Sequence, residues 1–154
     1  MQSSKLPLQI SNAVTPRGLH THAVAFGAAA EAVNASRISD PLPKYFLWGR
    51  TIELALKSFL LAEGQTATNL KSNAFGHDLN ALFREAVARG ISKMIGANTT
   101  NSAIVRVLNL DYLSKRFEYR HTRASYHLPD VELTRQLVKR LLRGIDFHLK
   151  RMDL

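Results

Sequence analysis

Cysteine is absent from the 154 residues, so no disulfide is available to the fold. Neither an HExxH pattern nor any comparable zinc spacing occurs. A glycine-rich phosphate loop, a pair of strand-like segments and an internal repeat are also missing, which leaves no sign of a Walker-type cradle or of a sheet. The opening, MQSSKLPLQIS, lacks an apolar run of signal-peptide length, and a cytoplasmic location is expected. Acids are scarce relative to bases, with 12 Asp and Glu against 21 Lys and Arg and a formal net charge of +9. Such an excess attracts polyanions, and it is uneven, because residues 78–154 hold 14 Lys and Arg against 8 acids. A single domain of this size buries about two thirds of its unfolded surface.

What the chain does have is one long apolar stretch, Lys44 to Glu63 (KYFLWGRTIELALKSFLLAE). Its length matches a membrane span, but Arg50, Glu53 and Lys57 fall in its middle, and each charge would cost about 2.5–3.5 kcal/mol in a bilayer. The stretch is therefore expected as a buried core helix, with no membrane partner. The three charges recur at i, i+3 and i+7 and share one stripe. Such a stripe is either a solvated, self-paired strip or a charged seam facing a partner helix or a second subunit.

The remaining segments read as helices. Residues 1–14 form at most a brief extended or poorly ordered piece. Thr15 and Pro16 then supply a cap and a first helical position for a face of Leu19, Ala23, Phe26, Ala30 and Val33. His20 and His22, two apart, point to different sides and are expected at the surface or its boundary. Asn34–Pro43 reads as a loop, and Gly64 ends the core helix. Asp78 caps a short helix stopped by Gly90, with Leu79, Leu82, Phe83, Ala86 and Val87 as its apolar face. A long helix is expected from Thr99 or Thr100 through Arg120. After Pro129, Asp130 caps a last helix with Leu133, Leu137, Leu141, Ile145 and Leu149 on one side and Arg135, Lys139 and Arg143 on another, with Arg140 and Arg151 nearby. The expected fold class is all-α, a bundle of about five helices.

Arginines and aromatics interleave in LNLDYLSKRFEYRHTRASYH, residues 108–127. On a continuous helix Arg116, Arg120 and Arg123 form one ridge with Tyr112 and Tyr119, a pattern suited to RNA because guanidinium pairs with phosphate and tyrosine stacks on bases. The alternative is tyrosines packed beneath a solvated arginine ridge.

The succession IELALKSFLLAEG, GHDLNALFREA and LDYLSKRFEYRH resembles the HEPN domains over roughly residues 43–150. The resemblance implies an all-α bundle, a homodimer, and in catalytic members a metal-independent ribonuclease that needs no cofactor. Their site is an arginine followed after four to six residues by a histidine. Arg116 with His121 fits that spacing and is the first candidate pair; Arg120 with His127 is the alternative register. The polar residue usual after the arginine is replaced by Phe117 in the first register and is met by His121 in the second. His77 and Asp78 match the family's HDL feature, where capping already accounts for the aspartate. The implied function is an RNA-acting protein of toxin or defence type, with an antitoxin-like protein partner. A non-catalytic RNA- or nucleotide-binding module and a protein-interaction scaffold are the alternatives.

Overall fold

A computed structural model describes residues 14–96, 98–120 and 124–154. Among them the chain is all-helical. α1 spans Pro16–Ala35, α2 Leu42–Ala62, α3 Ala67–Lys71, α4 Leu79–Ala88, α5 Ser92–Ile95, α6 Thr99–Leu113 and α7 Val131–Arg151. Seven helices stand where about five were expected, the additions being the five-residue α3 and the four-residue α5. The segment 1–13 lies outside the described residues, as do His121 and Arg123.

The caps explain most boundaries. Thr15 Oγ1 accepts from Gly18 N at 2.9 Å to start α1, Asp78 Oδ1 accepts from Ala81 N at 3.1 Å to start α4, and Asp130 Oδ1 accepts from Leu133 N at 2.9 Å to start α7. Gly64, at φ 95°, ends α2, and Gln65 N donates back to Leu60 O.

α2 is the centre of the bundle. Six successive residues from Thr51 to Leu56 are buried, and α1, α4, α6 and α7 all pack on the helix. α1 approaches through small residues, with Ala23, Gly27 and Ala30 on its buried side. His20 is also buried there, and its Nε2–H donates to Leu142 O at 2.8 Å. That corrects the surface position expected of it: a carbonyl in the middle of α7 gives the imidazole a partner inside the α1–α7 contact. His22 is exposed and lies edge-on to Phe26.

α6 departs most from expectation, because it stops at Leu113 and not at Arg120. Lys115 adopts φ 59°, its N–H donates to Tyr112 O at 3.1 Å, and Arg116 N donates to Asp111 O at 2.9 Å. These two bonds form the Schellman arrangement that closes a helix with a left-handed residue. A lysine fills the position normally given to glycine, so composition carries no stop signal. Residues 114–119 then run as turns and a bend, and 120 and 124–130 lie outside regular secondary structure.

Candidate functional site

Two buried carboxylates flank the turn that follows α6. The first is Glu53, which is 1% exposed in the middle of α2. Its Oε1 accepts from Lys57 Nζ at 2.8 Å, His77 Nδ1 at 3.0 Å and Arg50 Nη1 at 3.1 Å, while Oε2 accepts from the Tyr112 hydroxyl. The charged stripe is thus a seam inside the bundle, turned toward α6 and the entry to α4. Gly49, one turn before Glu53, lets the Tyr112 ring lie directly against the α2 backbone, so that its hydroxyl reaches the carboxylate.

Burial opposes the charge on Glu53, but the hydrogen bonds and charges of Lys57, Tyr112 and Arg50 outweigh it and hold the carboxyl below its ordinary range. Burial, and then Glu53, push the Tyr112 phenol well above its usual value. With both oxygens saturated and the phenol locked as a donor, this group is a structural hub and not a proton-transfer couple. It forms the back of a pocket of about 280 Å³ whose rim includes Arg50, His77, Lys115 and Glu118.

The second carboxylate is Asp111, fully buried near the end of α6. Arg116 Nη1 stands 3.1 Å from its Oδ1. Its Oδ2 accepts from the His127 backbone N–H at 2.6 Å and lies 3.7 Å from His127 Nδ1. Arg116 is further fixed by donation to Ser125 O at 2.7 Å, and its guanidinium lies 5.1 Å from the Tyr126 ring centre. Tyr45, Phe117 and Tyr126 stack in succession beneath it, with centroids 6.3 and 6.4 Å apart. A buried acid and an aromatic stack therefore hold one arginine and one histidine side by side, and half of the His127 side chain remains open to solvent.

The candidate residues fall out unevenly. Arg116 and His127, drawn from different registers of the HEPN-like pattern, meet on Asp111. Arg120 points elsewhere, pairing with Asp40 at 2.8 Å, and Tyr119 is exposed. Of the ridge expected of Arg116, Arg120 and Arg123 with Tyr112 and Tyr119, the described members do not share one helix face, because α6 ends at Leu113. Tyr112, expected as a surface for base stacking, is buried on Glu53. His121 and Arg123 lie outside the described residues. Asp111 went unnoticed in the sequence; the available signal was an acid at a core position, following Ile104 and Leu108 on helical spacing.

Among the described residues no cluster of three or more His, Asp or Glu stands as a metal-ligand set, and no helix is long and apolar enough to cross a membrane. The chain matches no family model, no curated protein and no solved structure.

Proposed function

We propose that this chain is an RNA-acting protein, a HEPN-like endoribonuclease that works without a metal, and that Arg116 and His127 carry its chemistry. The observation behind this reading is their convergence on one buried aspartate beside a basic, solvent-open turn. His127 would take the proton from a ribose 2′-hydroxyl as that oxygen bonds to the adjacent phosphorus. The P–O5′ bond would break to leave a 2′,3′-cyclic phosphate and a 5′-oxygen protonated by water, and Arg116 would stabilise the charge that develops on the attacked phosphate. Asp111 would position both without touching the substrate, as its burial requires. The rim cations Arg50 and Lys115 would hold neighbouring phosphates.

Ten residues separate Arg116 from His127, more than the four to six of the family pattern; the resemblance favours His121, which lies outside the described residues, and the shared contact with Asp111 supports His127. A homodimer, proposed from the resemblance, would bring two such pairs into one cleft. The Glu53 carboxylate of the Arg50, Glu53 and Lys57 seam is satisfied within the chain, so the proposed interface rests on the resemblance.

Incubation of mixed single-stranded RNA with the protein, with and without EDTA, tests the reading. Cleavage unaffected by chelator, and lowered by on the order of 10² or more in Arg116→Lys, is expected, since a lysine keeps the charge but loses the planar fork. RNA binding without cleavage would leave the non-catalytic binding module in its place.

A further inference from the structure

The cations of α7 divide into two populations. Outside its C-terminal groove Arg135 pairs with Glu31 and Glu132 at 2.7 Å each and Lys150 pairs with Asp146 at 2.7 Å, while Lys139 acts on Glu31 only through space. Arg140, Arg143 and Arg151 instead line a groove of about 630 Å³ together with Lys93 of α5, and none of the four is paired with an acid among the described residues. Glu63, near this end of the bundle, is occupied by His148 Nε2 at 2.6 Å.

The groove also has an apolar surface. Phe147 is 63% exposed between the arginines, with the Arg151 guanidinium 5.9 Å from its ring centre, and Met94 forms the opposite wall. Residues 140, 143, 147 and 151 follow at steps of three and four, which aligns them along about 16 Å of one helix face. Gly144 lies within the same stripe and lets α5 seat closely. A Cβ there would stand 3.2 Å from Met94 Cβ and 3.3 Å from Met94 O. The result is a concave trough with a cationic rim and one open ring.

We infer that this trough is a second binding site, which takes a short segment of single-stranded RNA by pairing phosphates with Lys93, Arg140, Arg143 and Arg151 and stacking a base on Phe147. The choice of RNA rests on the functional reading above; the trough itself does not depend on Asp111. An uncompensated row of cations selects a polyanion, and a lone exposed ring between them suits a base. A membrane surface fits less well, since a flat bilayer meets convex helices bearing a broad apolar face, whereas here a single ring lies in a concavity.

The test measures fluorescence anisotropy of a labelled oligouridine with the full chain in a His127→Ala background, across a range of salt. Arg140→Gln with Arg143→Gln should weaken binding and flatten the log–log salt slope by about 1.4, or about 0.7 per lost phosphate contact on a single strand. Phe147→Ala should weaken binding by on the order of tenfold with the slope unchanged. The charge-matched pair Arg84→Gln with Arg106→Gln, which lines a different pocket, should leave affinity within about twofold of the parent if binding depends on these groove contacts and not on net charge. All five of these side chains are exposed, and melting curves would verify folding.

Equal binding by parent, groove pair and Phe147→Ala would overturn the inference, as would binding to anionic vesicles without binding to RNA. RNA cleavage by the chain with an intact His127 reports separately on the functional reading. Loss of binding in Phe147→Ala without any cleavage would support the trough while removing the nuclease.

Discussion

A methyl group added at position 49 would come within 2.7 Å of Tyr112 Cε2, against a ring held by its own hydroxyl to Glu53. Gly49→Ala should therefore cost about 1–3 kcal/mol through overpacking, more than the roughly 1 kcal/mol that alanine returns in helix propensity. A lower melting temperature is the expected outcome. Glu53 gives a second prediction at this scale. Its carboxyl is held below its unfolded value, so its contribution is complete above about pH 4.3 and is lost as pH falls through the lowered value. Glu53→Gln strands Lys57 and Arg50 beside a buried neutral amide, and should destabilise the chain by about 3–5 kcal/mol near neutrality. Denaturant melts from pH 7 to pH 3 should show the difference between wild type and variant shrinking with acid. Spacing alone placed these charges on one stripe, but i, i+3 and i, i+4 pairs look alike whether solvated or buried. Only the position of Tyr112 and His77, distant in sequence, decides between them.

At the scale of the element, α6 is the informative case. Caps made by Thr15, Asp78 and Asp130 were legible because side-chain acceptors at those positions have local chemistry. The end of α6 was not, since Lys115 adopts the left-handed conformation that glycine would have announced. The consequence reaches the site: a helix carried on to Arg120 would align Arg116 and Arg120 with Tyr112 and Tyr119, whereas Arg116 pairs with Asp111, Arg120 with Asp40 and Tyr112 with Glu53. Lys115→Gly should relieve the left-handed strain and stabilise the protein by about 1 kcal/mol, readable as a higher denaturant midpoint. Arg116 and His127 came together through the turn after α6 and through a carboxylate on its inner side, a long-range arrangement with no periodic trace in the sequence. The all-α class, in contrast, followed from helical periodicity repeated over most of the chain, and seven helices appear where short α3 and α5 lack enough residues to show a period.

The whole molecule carries a positive excess, and its arrangement matters more than its size. Cations near α1 and the first turns of α7 are matched by Glu31, Glu132 and Asp146, whereas those around the α7 trough are not. RNA affinity should therefore fall steeply with salt, and the dependence should be concentrated in a few residues. A composite cleft requires two copies, so light scattering at micromolar concentration should give twice the chain mass; a strict monomer that still cleaves RNA would place a complete site within one chain.

Single-turnover RNA cleavage by His127→Ala and His121→Ala decides whether Asp111 gathers a working arginine and histidine. His127→Ala should lose on the order of 10² to 10⁴ in rate, with RNA affinity nearly unchanged and His121→Ala close to wild type. Wild-type rates in His127→Ala together with a dead His121→Ala would mean that the histidine on Asp111 does not move the proton.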